Sequence, residues 1–243
     1  MHELGLTRSA HRRDHLLQTP DSFVRAPLPG MRKCTAVVHV APQLGAKFMQ
    51  YTAEFEAGGI LSSATAQRFL YVLEGELECS SHGSLRTGDY AYFPEGGDQC
   101  VSANGGAKAA VIEKPYRSLD GKSSPRSFAG CEARIQPEPL TGDPDLEVRA
   151  LIPADPCFDF AVNTMTYQPG AALPMVEIHV MEHGLLMLEG GGIYRLNDCW
   201  YPVSAGDFIW MAPYCPQWFG ALGKRPAKYL IYKDWNRNPA ADT

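Results

Sequence analysis

The chain has 243 residues, 45% hydrophobic and 20% charged, with a net charge of −5. A chain of that length can bury a sizeable core, as one large domain or two small ones, and this composition is ordinary for a soluble globular protein. The acidic balance excludes a global basic field that would draw nucleic acid or anionic lipid, and no apolar run approaches membrane-spanning length, so neither partner is expected.

Residues 1–33 are polar and charged around His11-Arg-Arg-Asp-His15, followed by Pro20, Pro27 and Pro29. We read them as a short irregular arm, with His11 and His15 in a solvated turn. The first residues lack the apolar core of a signal peptide. Seven cysteines stand singly with no Cys-x-x-Cys, which suggests reduced thiols and a cytoplasmic protein. From Cys34 a β-pattern begins: residues 35–40, an alternating run over 47–55, then 67–77 broken by Gly75, 85–94 and 108–114. These short strands define a domain over 34–115. Residues 116–145 are rich in Pro, Gly, Ser and charge and read as a linker. A second β-domain follows over 146–243, with strand patterns at 158–167, 194–196, 207–213 and 227–233.

The most informative stretch is Met175-Val-Glu-Ile-His-Val-Met-Glu-His-Gly184. Strand alternation puts Glu177 and His179 on one face, and His183 returns to it after a short turn or on the same strand. Such a trio can hold a divalent metal and leave positions open. The helical alternative, an i, i+4 histidine pair, is disfavoured by the misplaced Glu182 and by the glycines at 190–192. The bland alternative is a set of ordinary polar residues on a half-buried strand.

The two halves repeat. Phe69-Leu-Tyr-Val-Leu-Glu-Gly75 matches Leu185-Leu-Met-Leu-Glu-Gly190 in its ending, and Gly88-Asp-Tyr-Ala-Tyr92 matches Gly206-Asp-Phe-Ile-Trp210. A duplicated β-unit is implied. Aligned through these glycines, Glu177, His179 and His183 fall opposite Ser62, Ala64 and Arg68, so metal is expected in the second copy alone.

Gly170, Glu177-x-His179, His183 and Gly190 together resemble the first motif of the cupins. Gly206 with Ala212-Pro-Tyr-Cys-Pro-Gln217 resembles the second, with Gln217 where histidine is usual; Gly88 to Gln99 resembles it again. The chain is therefore similar to an all-β bicupin: two jelly-roll barrels in tandem behind an N-terminal arm. The set Glu, His, His, Gln, the ending Tyr229-Leu-Ile-Tyr-Lys233-Asp-Trp-Asn-Arg237 and Pro42-Gln-Leu-Gly45 resemble the (S)-ureidoglycine aminohydrolases.

That resemblance implies hydrolysis of a small ureide to ureidoglycolate and ammonia with Mn2+. It implies Glu177, His179, His183 and Gln217 as metal ligands, Tyr229 and Lys233 as substrate contacts, and a homo-oligomer. An oxygen- and imidazole-rich set without thiolate independently suits Mn2+ or Fe2+ better than structural zinc. Lys233, facing into the barrel, would hold the substrate carboxylate, while Tyr194 and Tyr229 supply hydrogen bonds, Met165 lines the pocket and Glu177 is a candidate to activate water. Core roles for both tyrosines and a solvated strand end for Lys233 stand as alternatives. Cys215 reads as a buried thiol with no histidine placed to activate it. Rival functions are an Fe-dependent dioxygenase or isomerase of a small acid, and a non-enzymatic binding protein.

Overall fold

The computed structural model describes residues 6–238, nearly all of them β or irregular. The strands are β1 Ala10–His11, β2 His15–Gln18, β3 Arg25–Ala26, β4 Met31–Val40, β5 Met49–Leu61, β6 Gln67–Glu74, β7 Glu76–Cys79, β8 Gly83–Arg86, β9 Asp89–Phe93, β10 Val101–Ala103 and β11 Ala107–Lys114. They continue with β12 Phe128–Cys131, β13 Glu138–Leu140, β14 Asp143–Ala150, β15 Phe160–Tyr167, β16 His183–Glu189, β17 Gly191–Leu196, β18 Cys199–Ser204, β19 Phe208–Met211, β20 Gln217–Ala221 and β21 Ala227–Asp234. Among the described residues, no helix is long and apolar enough to cross a membrane.

The chain divides into two compact units. The first comprises Val24–Ile135 and Ala154–Asp159, and its sheet runs β12-β9-β6-β11-β5-β10-β7-β8, with β4 also on β5 and β3 on β4. Alternation along β5 turns Tyr51, Ala53 and Phe55 into a core shared with Leu70, Val72, Phe93, Val101 and Val111. Each large apolar side chain buried there stabilises the unit by about 1.5–3 kcal/mol. The second unit holds residues up to Phe23, Gln136–Pro153 and the chain from Phe160. Its sheets are β1-β2-β19-β16-β21-β15-β14-β13 and β18-β17-β20. Its core gathers Tyr167, Leu185, Met187, Tyr194, Ile209, Phe219, Tyr229 and Ile231.

The sequence repeat has a physical basis at its glycines. Gly75 and Gly190 both sit at positive φ, +79° and +64°, where a Cβ would lie 2.5 Å from the Gly106 carbonyl oxygen and 2.4 Å from that of Pro226. No side chain fits at either place. Each Gly-Asp pair closes the same turn: Asp89 accepts the Arg86 N–H at 2.8 Å, and Asp207 that of Ser204 at 2.9 Å. The register repeats as well, since Arg68 lies opposite Glu113 in the first unit as His183 lies opposite Lys233 in the second.

Three expectations need correction. The arm is not irregular throughout: β2 adds to β19, placing Leu17 beside Ile209 and burying His15 as well as Leu17. His15 is therefore not in a solvated turn. The segment 116–145 contains β12, β13 and the start of β14, because short backbone ladders form there without long apolar runs. Finally, Glu177 and His179 lie on no strand. Glu177 makes one isolated bridge to Gln217, with N–H···O distances of 2.8 and 2.9 Å. The ladder stops on either side of this pair, because the Cys215 N–H donates to the Ala212 carbonyl and the Phe219 carbonyl accepts from the Leu173 N–H.

Candidate metal and substrate site

Side chains that the sequence singled out lie in the second unit, around the starts of β16 and β20 and the end of β21. His183 opens β16, is 4% exposed and pairs across the strand with Lys233 of β21. The Glu177–Gln217 bridge holds the preceding loop against the start of β20. His179 is anchored in turn, its carbonyl oxygen accepting the Tyr214 N–H at 2.6 Å. Glu177 Oε2 then lies 3.1 Å from His179 Nε2, and the His179 and His183 rings are 5.2 Å apart between centroids.

Gln217 is buried, and its Oε1 accepts a hydrogen bond from the Tyr194 hydroxyl at 3.1 Å. Tyr194 thus has a buried body and a hydroxyl aimed at this set. Tyr229 is buried too, with its hydroxyl 2.8 Å from that of Tyr167. Met165 faces Tyr229 across β15 and β21 and packs against the core. Lys233 Nζ lies 4.3 Å from the centre of the Trp235 ring, so the strand end is capped by an aromatic face.

Burial dominates the electrostatics. It lowers the His183 pKa to about 3, assisted by the neighbouring His179 and Lys233. A neutral imidazole is the form that binds a metal. Burial also lowers Lys233, opposed by the Glu177 charge, and pushes Tyr194 and Tyr229 well above the usual phenol value. Both phenols are therefore donors at neutral pH. Glu182 belongs elsewhere: it is buried and accepts the Trp210 Nε1–H at 3.0 Å.

Two contributors were missed in the sequence, Tyr167 and Trp235. Period-two alternation from Met165 and from Lys233 would have pointed to both. Cys215 also needs correction, because His15 does stand beside it. Among the described residues, the group of three acidic, imidazole or thiol ligand atoms lying within 4.8 Å of one another is Asp14, His15 and Cys215; the Glu177, His179 and His183 set is more open.

In the first unit the equivalent place is filled by protein. Arg68 donates to Glu113 at 2.8 Å from Nε and to the carbonyl oxygens of Ser62 and Gln99 at 2.9 and 3.0 Å from Nη1. Tyr51 donates to Glu113 at 2.9 Å, and the Gln99 amide is spent on the Ala66 and Pro94 carbonyls and the Ala64 N–H.

Two β-units with a matching register and one open polar set define a bicupin, and a cupin domain is matched over residues 163–232. The chain is 41% identical to the (S)-ureidoglycine aminohydrolase of Arabidopsis thaliana over 97% of its own length and 80% of that protein. It is 30% identical to the protein of that name from Escherichia coli (strain K12), over 91% of this chain and 88% of the relative. In three dimensions it resembles the putative glyoxylate induced protein of Pseudomonas aeruginosa, with a TM-score of 0.86 at 31% identity, covering 96% of this chain and 93% of that one. This chain belongs to the (S)-ureidoglycine aminohydrolase family.

Proposed function

We propose that the chain hydrolyses (S)-ureidoglycine to (S)-ureidoglycolate and ammonia, with Mn2+ held by Glu177, His179, His183 and Gln217. The observation that carries this reading is a carboxylate beside one imidazole, that imidazole beside the buried His183, and the backbone of Glu177 bridged to the buried Gln217, with Lys233 opposite His183. The name borne by the relatives from Arabidopsis and Escherichia coli supports the substrate. Two nitrogen and two oxygen donors without thiolate suit Mn2+. Bound there, the ion would supply Lewis-acid polarisation of the substrate amine or of water.

The remaining work falls to side chains. Lys233, its Nζ resting over the Trp235 ring, pairs with the substrate carboxylate. Tyr229 keeps its phenolic proton and donates to the ureido end, with Tyr167 fixing its orientation. Tyr194 holds the Gln217 oxygen in place. Glu177 takes one proton of the attacking water and passes it to the amine; the C–O bond forms as the C–N bond breaks, so one water is consumed per ammonia released.

The test incubates Mn2+-loaded protein with freshly generated ureidoglycine and follows ammonia and the chirality of the product. Failure to exceed the spontaneous rate refutes the reading, and oxygen uptake with Fe2+ in its place would favour a dioxygenase. His183→Ala should abolish both Mn2+ binding at this site and the rate. Lys233→Ala should keep the metal and raise KM or lower kcat.

A further inference from the structure

We propose that Asp14, His15 and Cys215 form a second metal site, for Zn2+ or another cation that favours thiolate. The ligand atoms of the three residues all lie within 4.8 Å of one another. They offer one oxygen, one nitrogen and one sulfur, a donor set with the softness that Glu177, His179, His183 and Gln217 lack. The two sites would thus select different metals.

The cluster is built rather than incidental. Asp14 Oδ1 lies 2.8 Å from His15 Nδ1, while Asp14 Oδ2 accepts the Asn197 side-chain amide at 2.6 Å. The Tyr201 hydroxyl stands 2.9 Å from His15 Nε2. An outer partner on each of two ligands, the carboxylate and the imidazole, is the arrangement that orients metal ligands. The backbone is pinned on every side: Ala212 N–H donates to the Asp14 carbonyl at 2.9 Å, Asn197 N–H to that of Pro216 at 2.7 Å, and His15 pairs with Met211.

Access comes from a cavity of about 610 Å³ lined by Arg12, Arg13, Asn197, Cys199, Ala212 and Pro213, together with Asp14 and His15. Three protein ligands leave a tetrahedral ion one position, which this cavity supplies with water or an anion. Arg12 and Arg13 are offset there by Asp14 and Asp198, which favours water. On binding, the Cys215 S–H bond breaks, its proton passes to water and a metal–sulfur bond forms, with no change of oxidation state.

The experiment titrates chelator-treated full-length protein with Co2+, which reports thiolate ligation through a near-ultraviolet charge-transfer band. The Glu177, His179, His183 and Gln217 set contains no sulfur and gives no such band. The wild type and His183→Ala are expected to show it, Cys199→Ser to keep it and Cys215→Ser to lose it. A wild type without the band, or a Cys215→Ser variant that retains it, overturns the proposal. Should Cys215→Ser fail to fold, His15→Gln is expected to weaken Co2+ binding at least tenfold, and unchanged affinity overturns the proposal equally. Both results are independent of whether ureidoglycine is turned over.

Discussion

Replacing Arg68 by methionine removes the cation that fills the first unit. The Arg68 side chain is 2% exposed and its partner Glu113 17%, and the guanidinium also serves the Ser62 and Gln99 carbonyls. Removing one member of a buried ion pair costs about 3–5 kcal/mol. The Tyr51 hydroxyl still donates to Glu113, and some solvent reaches that carboxylate, so the lower part of the range applies, about 3 kcal/mol. At a urea slope of about 1–3 kcal/mol per molar, the midpoint should fall by roughly 1–3 M. Far-ultraviolet circular dichroism is the suitable probe, since all four tryptophans lie between Trp200 and Trp235, in the second unit. Adding Glu113→Gln to the variant neutralises the stranded charge and keeps an acceptor for Tyr51. The double variant should regain about 1 kcal/mol or more. A midpoint that does not move in Arg68→Met, or a double variant no more stable than the single, would refute the account.

Tyr194→Phe removes the donor to Gln217 and should weaken Mn2+ binding about tenfold while leaving the fold intact, as measured by equilibrium dialysis. His39 is buried, and burial lowers its pKa from 6.5 to about 3. Its contribution to stability is fully present above pH 6.5 and is lost as pH falls through that window, because the unfolded chain takes up the proton first. The loss should total about 4–5 kcal/mol. His39→Gln, which keeps a polar partner for Thr52, should flatten the acid limb of a stability-against-pH curve; an unchanged slope would show that other groups carry it. Gly190→Ala should lower the melting temperature far more than Gly170→Ala. Both sit at positive φ and share a strain of about 1–2 kcal/mol, but only at Gly190 does the added methyl meet a backbone carbonyl.

Local patterns carry most of what the sequence makes legible. The Leu-Glu-Gly and Gly-Asp repeats exposed the duplication because they mark backbone positions where only a few residue types fit, and those positions recur as the tight approach at Gly75 and Gly190. Glu177, His179, His183 and Gln217 were legible as a candidate set, and the structure puts Glu177 beside His179, His179 beside His183 and the Glu177 backbone against Gln217. Their backbone was not, since turns at Cys215 and Leu173 take the neighbouring backbone groups and leave one bridge where alternation reads a strand. The arm was opaque for a different reason. Nothing in His15-Leu-Leu-Gln18 shows that its partner strand begins at Phe208, and with that pairing went the meeting of His15 with Cys215. Long-range pairing leaves no mark on a short polar segment.

The route of the chain has a consequence for how it is made. The first unit is completed only by Ala154–Asp159, where Asp159 accepts from the buried Lys114 at 2.8 Å and from Gln67 at 2.7 Å. The second unit needs Arg8 to reach Asp207, a contact spanning 199 residues. At synthesis rates of about 5–20 residues per second, the arm waits roughly 10–40 s after emerging for the strand it joins. Through that interval Leu16 and Leu17 are without their partner strand, and the Lys114–Asp159 pair is not yet made. Cutting the gene at the repeat boundary would make such a wait permanent for one half, so the duplicated chain must be expressed and engineered as one piece.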